Sequence, residues 1–112
     1  MTSFKQKDVV LADILFADGS RSKKRPALII SNNFYHSSRK EIVVCAITSN
    51  TERILFGDTK IDDWKESGLK YPSSALAVIQ TIQVPMINRK LGELSDKDFK
   101  NVLFNVSKIT RI

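Results

Sequence analysis

The tightest constraint on this chain is the shortness of its apolar runs. Val9 to Phe16, Ala27 to Ile30 opened by Pro26, Ile42 to Thr48, Ile54 to Phe56 and Ser74 to Ile82 are strand-sized, with Asp18-Gly19-Ser20, Ser31-Asn32-Asn33 and Gly57-Asp58 as turns between them. Val, Ile and Thr enrich Ile42 to Thr48, and Pro suits a strand's first residue, where its missing N–H matters least. Asp62 is placed to cap a short helix through Trp64 to Ser67, with Gly68 at its exit. A longer helix follows. Ser95 offers a capping hydroxyl, Asp96 and Asp98 sit at the positive end of the helix dipole, and Phe99, Val102, Leu103, Val106 and Ile109 form one apolar stripe. Five short strands and one amphipathic helix predict a mainly β, α+β domain: a small twisted barrel or half-barrel with the helix over an open side.

At 112 residues there is room for one domain, 1–112, and the 42% hydrophobic content suffices for a core. Both alternate faces of strands one and three are apolar, which a one-core barrel needs only if the helix or a second subunit covers the outside; a homodimer is the preferred expectation. Cys45 and His36 are the chain's single Cys and His, so neither an intrachain disulfide nor a Cys/His zinc site is available. The longest apolar run, Ile42 to Ile47, is far short of the roughly 20 residues of a membrane span, and Val9 to Ala12 is too short for a signal peptide's core. No membrane partner and a cytoplasmic location are expected.

The net charge of +6 is local. Arg21, Lys23, Lys24, Arg25, Arg39 and Lys40 fall within residues 19–40, which hold no Asp or Glu, whereas residues 1–18 sum to −1 and 41–112 to +1. A basic stretch of this density is a footprint for phosphates. Phe34, Tyr35 and His36 interleave flat rings with the cations, so single-stranded bases can stack there, with Phe34 assigned to plugging the barrel rim and His36 to the surface or a groove.

Several blocks taken together resemble a known family. Lys7-Asp8-Val9-Val10-Leu11, Asp18-Gly19-Ser20, Lys24-Arg25-Pro26-Ala27-Leu28-Ile29-Ile30-Ser31-Asn32 and Ala46-Ile47-Thr48-Ser49 are similar to the MazF/PemK toxins of type II toxin–antitoxin systems. Asp63-Trp64-Lys65-Glu66-Ser67-Gly68-Leu69, Pro72-Ser73 and Lys90-Leu91-Gly92-Glu93-Leu94-Ser95 resemble the PemK-type branch. The resemblance implies an SH3-like barrel that forms a homodimer, cuts single-stranded RNA at short sequences without metal or cofactor, and is held inactive by a cognate antitoxin, expected to be acidic.

The family's catalytic pair matches Arg25 and Thr48. Metal-free RNA cleavage proceeds by attack of a 2′-hydroxyl on its own phosphate, and an always-charged, fork-shaped guanidinium suits the negative charge gathered in the transition state. Ser20, Arg21, Lys23, Lys24, Asn32, Tyr35, His36, Arg39, Lys40 and Ser49 are the candidate RNA-binding residues. Two departures stand out: Ser20 occupies a position where some relatives carry Glu, leaving the proton acceptor unassigned with Asp18 the nearest acid, and Ala77 and Val78 replace a polar pair of the fifth strand. Two other functions are compatible with the residues: a non-catalytic nucleic-acid-binding barrel, and a barrel toxin that grips a protein such as DNA gyrase.

Overall fold

The computed structural model describes residues 4–15 and 23–112, and of Lys23 the backbone only. Six antiparallel strands, β1 (Asp8–Ile14), β2 (Lys23–Ile29), β3 (Ile42–Thr48), β4 (Thr59–Ile61), β5 (Ser73–Ile82) and β6 (Ile87–Glu93), form one sheet in the order β4-β5-β3-β2-β1-β6. Helix α1 (Asn33–Arg39) joins β2 to β3, a 3-10 turn at Val84–Met86 joins β5 to β6, and α2 (Asp96–Ser107) follows β6.

Side-chain alternation sends the apolar residues of β1, β2 and β3 to two separate cores. Val9, Leu28, Cys45 and Ile47 face one side with Ile61, Leu69, Ala75 and Leu94, under Phe99 and Val102 of α2. Val10, Ala12, Ala27, Ile29, Val44 and Ala46 face the other side with Ile42, Ile82 and Ile87. Phe4, Leu76, Val78, Val84 and Met86 pack against this second core. Both faces are therefore covered within one protomer. The two-sided apolarity of β1 and β3, from which a homodimer was expected, follows from a curled sheet and one helix, without a second copy.

The curl is visible at two seams. β1 and β5 are not neighbours in the sheet, yet the Gln80 side-chain amide accepts from Leu15 N at 3.2 Å and donates to Leu15 O. At the other seam, the turn that follows β4 lies directly on β6. A Cβ on Gly68, whose φ is +84°, would stand 2.1 Å from the Leu91 carbonyl oxygen, and one on Gly92 would stand 2.4 Å from the Ser67 carbonyl oxygen. Backbone meets backbone there, and only glycine leaves the space.

Several expected elements shift. The fourth strand is Thr59–Ile61, not Ile54 to Phe56: Asp58 accepts from Leu55 N at 3.0 Å and from Ala77 N at 2.8 Å, closing a turn around Gly57 (φ +92°) and leaving Phe56 exposed. Residues 62–68 form turns in place of the short helix. Asp98, fully buried on α2, accepts from Asp62 N at 3.2 Å and Asp63 N at 2.8 Å, so its carboxylate receives the amides at that corner. α2 itself begins as expected, with Ser95 accepting from Asp98 N at 3.2 Å. α1 and β6 lack a strong apolar period: α1 has one buried residue, His36, and β6 is an edge strand carrying Arg89 and Lys90.

Candidate active site

β2 starts three residues before Pro26 because backbone pairing to β1, indifferent to side-chain polarity, extends over Lys23, Lys24 and Arg25. Arg25 thereby stands opposite Ala12, half-buried, on the face that carries Ala27 and Ile29. On the other flank the β2–β3 ladder runs only from Ile29–Val44 to Ala27–Ala46. Pro26, with no N–H to donate, marks its end. The next residues of that face are Arg25 on β2 and Thr48 on β3, and carrying the register on by two brings them opposite each other. That extrapolated register sets Arg25 and Thr48 on one face, just past the point where the two strands end their pairing.

Thr48 is half-buried, and its Oγ1 accepts from Asn50 N at 3.1 Å; Asn50 Oδ1 in turn accepts from Glu52 N at 3.3 Å. These side-chain turns order the segment after β3. Asn50 was not among the expected site residues, although Thr-Ser-Asn is a turn-forming triplet. Ser49 is exposed beside it. Opposite Ala46, the β3–β5 register changes between Cys45–Ile79 and Ile47–Ala75. Irregularities of this kind re-aim side chains beside sites. Ala77, at this irregularity, meets the Gly57 turn, where an added Cβ on Gly57 would come within 2.9 Å of the Ala77 Cβ. A small residue at 77 is what that packing demands.

The described cations of the basic segment do not form one patch: Lys24 alternates to the face opposite Arg25, while Arg39 and Lys40 lie at the C-terminal end of α1, beyond the far end of β2. Four residues of strand at about 3.3 Å each already separate Arg25 from Ile29 by roughly 13 Å. Ser20 and Arg21 lie outside the described residues, as does Asp18, and the Lys23 side chain is likewise not described.

The remaining candidates belong to α1. Asn32 is its N-cap, accepting from Tyr35 N at 3.1 Å. Tyr35 lies under the Arg39 guanidinium at 5.8 Å from its ring centroid, and Arg39 Nε donates to Glu41 at 3.3 Å. Lys40 closes the helix in the left-handed region, φ 57°. Phe34 departs from expectation: it does not plug a rim but is 87% exposed. His36 follows the groove alternative and not the surface one: it lines a cavity with Lys40, Ile42 and Val84, is 93% buried, and its Nε2 lies 2.6 Å from Ser31 Oγ. That hydroxyl also accepts from Val43 N at 2.9 Å and donates to Val43 O at 3.5 Å. The ring is a tie between α1 and β3, and desolvation lowers its pKa below the usual histidine value. Cys45, buried in the first core, has its thiol pushed up to about 12 by burial, which leaves it unreactive near neutral pH.

Among the described residues no cluster of three His, Cys, Asp or Glu is placed to hold a metal ion, and no helix is long and apolar enough to cross a membrane.

A small curled barrel of six antiparallel strands followed by one helix defines a class of compact β domains. The chain belongs to the PemK-like, MazF-like toxins of type II toxin–antitoxin systems, whose family model matches residues 5–110. Its fold is shared with several solved structures. An endoribonuclease from a Mycobacterial species superposes with a TM-score of 0.74 at 18% identity, covering 96% of this chain and 91% of the other. MazF from Deinococcus radiodurans gives 0.77 at 16% identity, covering 97% of both chains. The Mycobacterium tuberculosis toxin MazF-mt6 gives 0.71 at 24% identity, covering 90% of this chain and 93% of the other. A comparison with curated protein sequences finds no match.

Proposed function

We propose that this chain is a sequence-specific endoribonuclease toxin that cleaves single-stranded RNA without metal, using Arg25 and Thr48. The observation that carries the reading is the β2–β3 register, which, continued two residues past its last rung, sets these two residues on one face, in a chain of the PemK/MazF family. Endoribonucleases from Mycobacterial species with a similar fold support it.

The chemistry follows from the two side chains. A 2′-hydroxyl attacks the adjacent phosphorus, the 5′-oxygen leaves, and negative charge builds on the non-bridging oxygens. Arg25, charged at every working pH, neutralises that charge with paired N–H donors. Because it precedes Pro26, its backbone is held extended and the direction of its long side chain is narrowed in advance. Thr48, with its oxygen already accepting from Asn50 N, keeps its own proton to donate to a phosphate oxygen. Arg25 is too weak an acid to serve as the base.

A cognate antitoxin completes the reading, supported by similar folds solved with one, MazE–MazF of Deinococcus radiodurans and a Mycobacterial endoribonuclease with its antitoxin. The toxin acts as a homodimer in the cytoplasm. A face for the second copy is available where exposed Phe56 and Ile109 flank the Gly57 turn. The test is incubation of the purified protein with a long single-stranded RNA in EDTA. Discrete cuts are expected; a mobility shift without cuts makes it a binding barrel, and neither result leaves a protein-gripping toxin.

A further inference from the structure

Sheet register carries the site beyond Arg25 and Thr48. Thr48 is the cross-strand partner of Ser74 on β5, and Ser74 is the partner of Lys60 on β4. Ala46 and Leu76, two residues from Thr48 and Ser74, both pack in the core of Val10 and Ala27, so by alternation Thr48, Ser74 and Lys60 share one face. Continuing the β2–β3 register two residues past Ala27–Ala46 adds Arg25 of β2 to that face. The row continues through Ala12 on β1 to Ile87 on β6, where it is apolar and buried. Its polar half lies entirely on the β4 side.

Lys60 is exposed, and among the described residues no carboxylate lies within ion-pair distance of it. The acid two residues away, Asp58, accepts the amides of Leu55 and Ala77. Ser74, fully buried between Lys60 and Thr48, is the floor of the row. Three strand spacings of about 4.8 Å set the Lys60 Cα roughly 14 Å from that of Arg25, too far for both to hold a single phosphate.

We propose that Lys60 is a further phosphate-binding residue of this site, and that the RNA strand crosses β2, β3, β5 and β4 along the row. The inference rests on the RNA-cleaving reading above and adds the direction of the substrate and its outermost contact. Lys60 touches a phosphate away from the cut, so it contributes binding and not chemistry. Lys100, exposed on α2, serves as the control cation.

The test compares Lys60→Gln, Lys100→Gln and Arg25→Ala in the full chain, following cleavage of a long single-stranded RNA and binding of an uncleavable 2′-O-methyl RNA against salt. Lys60→Gln is expected to raise KM severalfold with kcat retained and to reduce the slope of log affinity against log salt by about 0.7, the contribution of one single-strand phosphate contact. Lys100→Gln is expected to leave both unchanged. If Lys60→Gln behaves as Lys100→Gln does while Arg25→Ala abolishes cleavage, the inference about Lys60 falls and the RNA-cleaving reading stands. If the wild-type protein neither cuts nor binds RNA, both fall. Weakened capture of the antitoxin with RNA binding intact assigns Lys60 to the protein partner and overturns the inference.

Discussion

Gln80 on β5 grips the backbone of Leu15, just past β1, through both the N–H and the carbonyl, although three intervening ladders separate their strands in the sheet. The clamp fixes the point where the chain leaves β1 on its way to Arg25. Replacing Gln80 by Ala removes it while leaving both cores filled. Cleavage is expected to fall about tenfold, since small misplacements at a reacting centre are costly, with a thermal midpoint within a few degrees of wild type. A lost fold, or unchanged turnover, counts against a positioning role.

Arg25→Ala is expected to lower the cleavage rate by about a hundredfold or more, the usual scale for losing one transition-state contact. Lys24→Ala, on the opposite face, is expected to change it only severalfold. Thr48→Val, nearly constant in shape, tests the hydroxyl alone. Single-turnover kinetics on one RNA reads all three, and equal small losses reduce the pair to a general phosphate tether.

His36 gives stability a pH dependence that can be isolated, because it is the only histidine. Burial lowers its folded pKa below the usual histidine value of about 6.5. As pH falls through the unfolded value, the unfolded chain takes up a proton that the folded chain resists, so stability present above about pH 6.5 is lost below it. Urea midpoints at pH 7.5 and 5.5 are expected to differ for the wild type and to converge for His36→Asn. An equal drop in both proteins removes His36 as the cause.

Asp98→Ala leaves the Asp62 and Asp63 amides without their acceptor at a buried corner. A loss of about 2–6 kcal/mol is expected, at about 1–3 kcal/mol for each of the two donors left unsatisfied. Chemical denaturation measures it, and a loss below about 1 kcal/mol shows that water takes over the bonds.

An acidic antitoxin is expected to associate at a rate that falls with salt, as the Debye length shortens from about 10 Å at 0.1 M to about 3 Å at 1 M. Stopped-flow mixing with the neighbouring-gene product reads this. A rate indifferent to ionic strength points to an apolar docking mode.

What the sequence determined by itself is what local periodicity and capping encode. The β-branched run Ile42–Thr48 is β3, the Ser95 cap opens α2, Phe99, Val102 and Val106 of its apolar stripe pack on the core while Leu103 and Ile109 stay exposed, and Cys45 is buried. These depend on neighbours along the chain, so they are legible in it. Tertiary structure decided the rest. β6 and the charged start of β2 are strands because a backbone edge was available to pair with, a circumstance no side-chain pattern records. His36 reads as a surface or groove residue until Ser31, placed by the same turn, takes its Nε2. The basic stretch of residues 19–40 looks like one patch, yet among the described residues an extended strand carries Lys24 and Arg25 away from Arg39 and Lys40. Arg25, Thr48, Ser74 and Lys60 are scattered over 50 positions and share a row only through antiparallel register. Register is fixed by how two cores fill on opposite faces of one curled sheet, and that is a property of the whole chain.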